Sequence, residues 1–189
     1  GIPWRTLPGT HPTQGAYFTR GSTRDAQARY SESGHDYVYN VQRLLAKFAT
    51  AATLVPQPVL RPAPKKTRLG VIYFGSTSPA LREALDALQE GGIALDSMRL
   101  RAFPFPASVA EFIAAHDRVV VVEQNRDAQM RTLLVNELEI DPARLVPVLH
   151  YDGTPITARF ITGAIRQKVA ALAVKPRRRK PAAASPATV

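Results

Sequence analysis

Cysteine is absent from the 189-residue sequence. Its absence excludes disulfide bonds, thiolate-bound zinc and cysteine-ligated iron–sulfur clusters within this chain. No apolar run approaches the roughly 20 residues that a transmembrane helix needs. Residues 1–5, Gly-Ile-Pro-Trp-Arg, also lack the basic-then-apolar layout of a signal peptide. These absences favour a cytoplasmic protein with no membrane partner.

Acidic residues are fewer than basic ones, and the formal net charge is +10. The excess is confined to two short segments. Residues 175–180 carry five positive charges and residues 61–68 carry four, with no acidic residue in either segment. The rest of the chain is therefore nearly neutral, which argues against a basic groove for nucleic acid on the folded surface.

Composition separates four segments from the main domain. Residues 1–34 show neither a helical nor a strand period and are predicted to be irregular. Apolar side chains recur at helical spacing in residues 35–52 and predict one amphipathic helix. The proline-rich residues 56–68 predict a stiff, extended linker. Residues 175–189 are rich in Pro, Ala, Ser and basic side chains and are predicted to be disordered.

Residues 69–174 alternate between strand-like and helix-like segments. Two continuous apolar runs, 69–74 and 119–122, are typical of central parallel strands. Two further strands are predicted at the edges of the sheet, 98–102 because arginines alternate in it and 145–149 because it contains a proline. Four amphipathic helices follow the strands. The pattern predicts an α/β fold with a doubly wound parallel sheet, in the order 2-1-3-4 for the four strands.

Polar residues follow the first and third predicted strands, where the strand order reverses. Open α/β sheets bind ligands at such a switch point. The candidate residues of this switch-point crevice are Ser76, Thr77, Ser78, Glu123, Gln124 and Asn125. With Ser78 as N-cap and Pro79 as the first helical residue, free backbone N–H groups can bind an anion. The structural alternative is that the serines only cap the helix, while Glu123 and Asn125 tie the two loops together.

The N-terminal residues 8–21 are the second candidate site. They combine hydroxyl side chains, a histidine and an arginine with proline and glycine, and long irregular loops are often functional. Arg20 can clamp a carboxylate with two hydrogen bonds, and His11 can act as an acid, a base or a hydrogen-bond donor. A purely structural role in the loop is the alternative for each of them. The other histidines show no metal-ligand spacing.

Four stretches together resemble a known family. They are residues 1–12 (GIPWRTLPGTHP), 15–21 (GAYFTRG), 122–129 (VEQNRDAQ) and 149–158 (LHYDGTPITA). They are similar to the C-terminal part of the alpha subunit of 2-oxoglutarate:ferredoxin oxidoreductase, in the 2-oxoacid:acceptor oxidoreductase family, over about residues 1–166. The resemblance implies that residues 69–174 form a domain like the transketolase C-terminal domain. Residues 1–55 are then expected to be a remnant of an upstream pyrimidine-binding domain plus a connecting helix.

The resemblance also implies an activity. A 2-oxoacid, expected to be 2-oxoglutarate, is oxidatively decarboxylated, with transfer of the acyl group to coenzyme A and of electrons to ferredoxin. Thiamine diphosphate, Mg and an iron–sulfur cluster are expected in the complete complex, held by the beta subunit or by the missing domain. This segment is expected to carry no catalytic residue and to make subunit and interdomain contacts. His11, Thr13 and Arg20 are expected to line the approach of substrate or coenzyme A.

A second hypothesis, from a different functional class, stays open. The chain is then a free-standing α/β binding module whose switch-point crevice takes a small anion and whose basic tail takes nucleic acid. Its support is the charge alone. DNA titration at two salt concentrations distinguishes the hypotheses, because binding to phosphates weakens steeply with salt.

Overall fold

The computed structural model describes residues 7–16, 21–27 and 29–173. Arg20 and the basic tail lie outside these residues, so the predictions for them stay predictions. The chain divides into two units, one of residues 1–57 with 102–108 and the other of residues 58–101 with 109–189. Each unit is described by itself.

The smaller unit contains a short ribbon and a long helix. Strands β1 (Thr23–Arg24) and β2 (Tyr30–Ser31) pair antiparallel, so the segment predicted to be irregular holds a two-stranded ribbon. Helix α1 (Gly34–Leu54) confirms the predicted amphipathic helix and extends it at both ends. The Asn40 side chain donates to Thr23 Oγ1 and to the Arg24 carbonyl, both at 2.7 Å, and so fixes the ribbon to one side of the helix.

From residue 58 onward the chain builds a five-stranded sheet with helices. The elements are β3 (Val59–Arg61), β4 (Leu69–Phe74), a 3₁₀ turn (Gly75–Thr77), α2 (Ser78–Glu90), β5 (Asp96–Leu100), α3 (Ala107–Ala115), β6 (Arg118–Glu123), α4 (Gln129–Leu138), a second 3₁₀ turn (Pro142–Arg144), β7 (Leu145–Leu149) and α5 (Ala158–Ala173). The spatial order of the strands is β3-β5-β4-β6-β7. Strand β3 is antiparallel to β5, and the other four strands are parallel.

The four parallel strands confirm the predicted doubly wound α/β fold. Their order, β5-β4-β6-β7, is the predicted order 2-1-3-4. The apolar runs of β4 and β6 are central because they are buried on both faces, as Val71, Ile72, Val120 and Val121 all are. The proline-containing strand β7 lies at the edge as predicted, and α2 to α5 match the four predicted helices.

Two details of the sheet differ from the prediction. Residues 59–61, inside the expected linker, form strand β3 and pair with Ser97, Met98 and Arg99 of β5. Strand β5 is therefore not at the edge. The prolines at 58 and 62 only flank this stretch, so residues 59–61 keep their backbone N–H groups for pairing. The arginines suggested an edge, but Arg99 is half-buried and Arg101 lies beyond the end of the strand.

One face of the sheet is covered by α2 and α5. Val71 and Tyr73 of β4 lie in a buried apolar cluster with Leu81 of α2 and with Ile161 and Ile165 of α5. Burial of these side chains is the main source of stability for this layer. Within the described part of the chain, no helix combines the length and the apolar composition that crossing a membrane requires.

The opposite face is covered by α3, and its close approach explains a glycine in β4. Successive residues of a strand face opposite sides of the sheet. Val71 faces α2 and α5, so the adjacent Gly70 faces the other side. A Cβ atom at Gly70 would lie 3.0 Å from the Phe112 ring and 3.2 Å from the His116 ring. Helix α3 can therefore pack directly on the backbone of β4.

A buried histidine joins three segments at the amino ends of the strands. His116 is almost fully buried, and its Nδ1 lies 2.7 Å from the Phe112 carbonyl, to which it donates. Its Nε2 lies 3.0 Å from Asp96 Oδ2. The second carboxylate oxygen, Asp96 Oδ1, accepts from the Ala63 N–H at 2.7 Å. One carboxylate therefore connects the end of α3 to the segment that leads from β3 to β4.

We predict that Asp96→Ala lowers the free energy of unfolding by about 2 kcal/mol, because the buried His116 Nε2 loses its carboxylate partner and the Ala63 N–H loses its acceptor. Urea denaturation measures the change. The matched control is Asp86→Ala, since Asp86 is exposed and lies 3.5 Å from the exposed Arg61. Its effect should stay within about 0.5 kcal/mol. Equal effects for the two variants would contradict the proposed connection.

Candidate functional site

The switch-point crevice lies between the carboxyl ends of β4 and β6. It is an open cavity of about 300 Å³. Its lining residues are Phe74, Gly75, Ser76, Thr77, Gln124, Asn125 and Gln129. Four of the six predicted residues therefore line it, whereas Ser78 and Glu123 do not. The sequence analysis missed Gln129. Its position, four residues after Asn125 and at the start of a predicted helix, would have indicated that it lies near the crevice.

Helix α2 begins differently from the prediction. Gly75, with φ of +58°, turns the chain directly after β4, and the 3₁₀ turn follows at once. Ser78 is the first residue of α2; it is buried, and its N–H donates to the Gly75 carbonyl. The prediction that Ser78 is the N-cap and Pro79 the first helical residue is therefore wrong. Helical turning starts three residues earlier because glycine adopts this positive φ without strain.

Gln124 joins the two loops of the crevice. Its Nε2 donates to Ser76 Oγ at 3.0 Å and to Thr77 Oγ1 at 3.1 Å. The structural alternative assigned this link to Glu123 and Asn125, and that assignment is wrong. Since both hydroxyl oxygens accept from the amide, each hydroxyl keeps its own hydrogen as a donor for another group.

Glu123 instead holds the start of α4. The residue is fully buried, and its carboxylate accepts from the N–H groups of Met130 at 2.7 Å and Arg131 at 3.0 Å. The Asn125 side chain donates to the same carboxylate at 2.9 Å. These N–H groups belong to the first turn of α4 and have no partner within the helix. Glu123, at the end of β6, therefore caps the N-terminus of α4. This carboxylate is not available to a substrate.

The left-handed backbone of Ala128 is part of the same arrangement. Ala128 precedes α4 with φ of 51°, a conformation uncommon for a non-glycine residue. Asn125 Oδ1 accepts from the N–H groups of Asp127 and Gln129 on either side of it, at 3.1 and 3.2 Å. The hydrogen bonds to Asn125 and Glu123 stabilise the loop that this conformation requires.

The residues that line the crevice carry no formal charge. Their polar groups are hydroxyls and carboxamides, and the buried Glu123 carboxylate lies behind them on β6. A ligand here would be held by neutral hydrogen bonds rather than by an ion pair with a lining residue. This chemistry suits an interface or a neutral polar group better than a strongly charged anion.

The loop after β7 lies beside the end of β6. The His150 N–H donates to the Glu123 carbonyl at 2.9 Å, and the buried His150 ring packs edge-on against Phe160. Asp152 Oδ1 accepts from the N–H and the hydroxyl of Thr154 and lies 3.4 Å from His150 Nε2. These two hydrogen bonds from Thr154, with a smaller contribution from His150, hold the pKa of Asp152 below its usual value. These contacts close the turn that follows β7.

The N-terminal loop brings His11 and Thr13 together. His11 Nδ1 accepts from the backbone N–H groups of Thr13 at 3.2 Å and Gln14 at 3.0 Å. A nitrogen that accepts carries no proton, so the ring proton of the neutral imidazole is on Nε2. The ring is exposed, and Nε2 is therefore a donor at the surface of the loop.

Gly15 closes this loop. Its N–H donates to the His11 carbonyl at 3.0 Å, and its own carbonyl accepts from Gly9 at 3.1 Å. A Cβ atom at Gly15 would lie 2.8 Å from the His11 nitrogen, so any larger residue would push the backbone apart. The loop is therefore a defined turn, closed by hydrogen bonds between backbone groups. Arg20, the third predicted residue, lies outside the described part of the chain.

The sequence and the described residues bear on two of the implied groups, the iron–sulfur cluster and the metal ion. Cysteine is absent from the whole sequence, so an iron–sulfur cluster has no thiolate ligand here. In residues 7–16, 21–27 and 29–173, no three histidine or acidic side chains are grouped so that they could hold a metal ion.

Comparison with solved structures identifies the fold. The structure of 2-oxoglutarate:ferredoxin oxidoreductase from Magnetococcus marinus, with 2-oxoglutarate, coenzyme A and succinyl-CoA bound, is similar to this chain with a TM-score of 0.72 and 20% sequence identity. The match covers 87% of this chain and 28% of that one. The chain has the fold of part of this oxidoreductase. It spans little more than a quarter of the longer chain's length.

Other comparisons add little. The alpha chain of a probable 2-oxoacid ferredoxin oxidoreductase from Thermoplasma acidophilum matches 60% of this chain and 97% of its own, with 24% identity and a TM-score of 0.41. A split-gene transketolase, an inactive beta4 tetramer, matches 60% of this chain and 41% of its own, with 20% identity and a TM-score of 0.48. Both TM-scores are too low to establish a shared fold. No family model and no curated protein matches the sequence.

We predict that Glu123→Ala lowers the free energy of unfolding by roughly 3 kcal/mol, because two first-turn N–H groups of α4 lose their buried acceptor. Glu123→Gln keeps the shape of the side chain but replaces one accepting oxygen with an NH₂ group, which faces an N–H donor. We therefore expect an intermediate loss of stability. Gln124→Ala, in the open crevice next to it, is the control and should cost less than about 1 kcal/mol. Urea denaturation of the three variants tests this order, and a Glu123→Ala protein as stable as the control would refute it.

Proposed function

We propose that this chain is the C-terminal region of the alpha subunit of a 2-oxoacid:ferredoxin oxidoreductase, with 2-oxoglutarate as the substrate. The complete enzyme would decarboxylate the 2-oxoacid, transfer the acyl group to coenzyme A and pass two electrons to ferredoxin. Its compartment would be the cytoplasm. The observation that carries the proposal is the fold similarity over 87% of the chain to an oxidoreductase of this kind.

The proposed contribution of this segment is contact between subunits and domains. Glu123, the fully buried carboxylate beside the crevice, is bonded to the start of α4, and the crevice lining is uncharged. Thiamine diphosphate, Mg and the iron–sulfur cluster would be held by the beta subunit or by another domain of the alpha subunit. In the same proposal, residues 1–55 belong with a pyrimidine-binding domain, and residues 69–174 form the C-terminal domain that follows the 56–68 segment.

The N-terminal loop is proposed to line the approach of the 2-oxoacid or coenzyme A. Support comes from the exposed donor at His11 Nε2, which the turn holds in one tautomer. Thr13 is placed beside it, with its hydroxyl 3.2 Å from His11 Nδ1. Arg20 is proposed to bind a carboxylate of the substrate. The switch-point residues Ser76, Thr77, Gln124 and Asn125 are proposed to face a subunit or domain interface.

A pair of substitutions separates binding by His11 from its role in the turn. In His11→Asn, the side-chain oxygen can still accept from the N–H groups two and three residues on, as Asn does in Asx turns. Both His11→Asn and His11→Ala should lower kcat/KM of the assembled enzyme for the 2-oxoacid or coenzyme A by about five- to tenfold, since both lose the Nε2 donor. Thr10→Ala, in the same turn, should stay within about twofold. Wild-type kinetics for His11→Asn would remove the binding role.

Purification from the source cell tests the assembly. The tagged chain should bring with it a cysteine-containing partner subunit and thiamine diphosphate, and the complex should be brown because of its iron–sulfur cluster. Mass determination, visible absorption and cofactor extraction measure this, with an unrelated tagged protein as the control. A colourless chain without partners would overturn the proposal and favour the anion-binding module with a nucleic-acid-binding tail.

A further inference from the structure

The ring of His116 contacts an oxygen atom through each of its two nitrogens. Nδ1 lies 2.7 Å from the Phe112 carbonyl oxygen, and Nε2 lies 3.0 Å from Asp96 Oδ2. A carbonyl oxygen can only accept a hydrogen bond, so Nδ1 carries a proton. In a neutral imidazole that is the one ring proton, and Nε2 would present a lone pair to the carboxylate. A second proton must therefore lie between Nε2 and Asp96 Oδ2.

The surroundings of the pair favour this proton on the ring. Phe112 lies in the last turn of α3, and the His116 N–H, which would bond its carbonyl in a continued helix, donates to Ile113 instead at 3.3 Å. The negative end of a helix stabilises a histidine cation. Asp96 Oδ1 accepts from the Ala63 N–H at 2.7 Å, which stabilises the ionised carboxylate. The pair is therefore an imidazolium beside a carboxylate.

Four other charged side chains lie near the end of α3: Arg68, Asp117, Arg118 and Arg144. Arg144, from the second 3₁₀ turn, donates to the His116 carbonyl at 3.2 Å and opposes a positive charge on the ring. Asp117 favours this charge, but it is exposed and paired with Arg68. These groups bond to the backbone or to one another, whereas Asp96 contacts the ring itself. Asp96 is therefore the main influence on the charge of the ring.

The two members of the pair differ in their access to water. The His116 side chain is 5% exposed, and the Asp96 side chain is 30% exposed. The proton can therefore leave through the carboxylate. Once it has left, the Nε2 lone pair and the Asp96 carboxylate repel each other, and only Asp96 can turn toward water. The Ala63 N–H then loses its acceptor.

We propose that the His116–Asp96–Ala63 contact is a pH-sensitive connection between the end of α3 and the segment that leads from β3 to β4. With the proton bound, Asp96 contacts both His116 and Ala63 and holds residues 62–64 beside β5. When the proton passes to water, Asp96 turns outward and the backbone at Ala63 is released. The inference goes beyond the proposed function and does not depend on it, because every contact in it is formed within the larger unit.

Asp96→Asn separates the proton from the hydrogen bonds. The amide oxygen that it introduces can accept from the Ala63 N–H, and the NH₂ group can donate to the lone pair of a neutral His116 ring. Both connections are then kept without the extra proton. A purely structural contact and a proton-binding contact therefore predict different pH dependence for this variant.

Urea denaturation of the full chain at a series of pH values is the first test. Above about pH 7.5 the histidines of the unfolded chain are neutral, so the wild-type chain holds one more proton when folded than when unfolded. Its folding equilibrium constant, relative to that of Asp96→Asn, should fall with increasing pH by up to about tenfold per pH unit. Asp86→Asn is the matched control, since it removes an exposed carboxylate beside Arg61, and its pH dependence should follow the wild type. Parallel curves for the wild type and Asp96→Asn would overturn the proposal.

The second test needs no variant. In the nitrogen NMR spectrum of the folded chain at about pH 7.5, both ring nitrogens of His116 should carry a proton, whereas histidines of the urea-unfolded chain should carry one. As the pH is increased further, the protection of the Ala63 N–H from hydrogen exchange should fall together with the loss of this second proton. The N–H of Ile72, in the centre of the sheet, is the reference. An unprotonated Nε2 at the starting pH, or protection of Ala63 that does not follow His116, would contradict the proposal.

Discussion

Burial of the Glu123 carboxylate at the end of β6 controls the geometry around the crevice. A carboxyl group inside the protein needs hydrogen-bond partners, and the first turn of α4 supplies two backbone N–H groups. Asn125 supplies a third, and the Glu123 carbonyl accepts from His150 in the next loop. The ends of β6 and β7 and the start of α4 are therefore positioned by a single residue.

This arrangement affects what the crevice can do. Because Glu123 is bonded within the fold, the lining that remains consists of hydroxyl and carboxamide groups, with Gln124 joining the loops after β4 and β6. Such a surface can fit against another protein segment without an unpaired charge. This lining is consistent with a chain whose proposed role is assembly, with the redox chemistry elsewhere in the complex.

Much of the sheet was predictable from local patterns. The buried runs of β4 and β6 had to be central, because apolar residues on both faces of a strand require cover on both sides. The strand order followed from that choice together with the proline in β7. The added strand β3 was missed, since three residues between prolines carry no period, and their pairing depends on the distant edge of β5. The prediction from Arg99 was wrong because a charged residue in a strand does not distinguish an exposed edge from a half-buried position inside the sheet.

Residue types and spacing by themselves determined the helices, the parallel strands and the two polar regions that were singled out, because periodicity records which side of each element avoids water. The tertiary structure alone decided what each polar group does. Ser78 became a buried helical residue, Glu123 a helix cap and Gln124 the link between loops, since hydrogen-bond partners are set by segments that meet only in the folded chain.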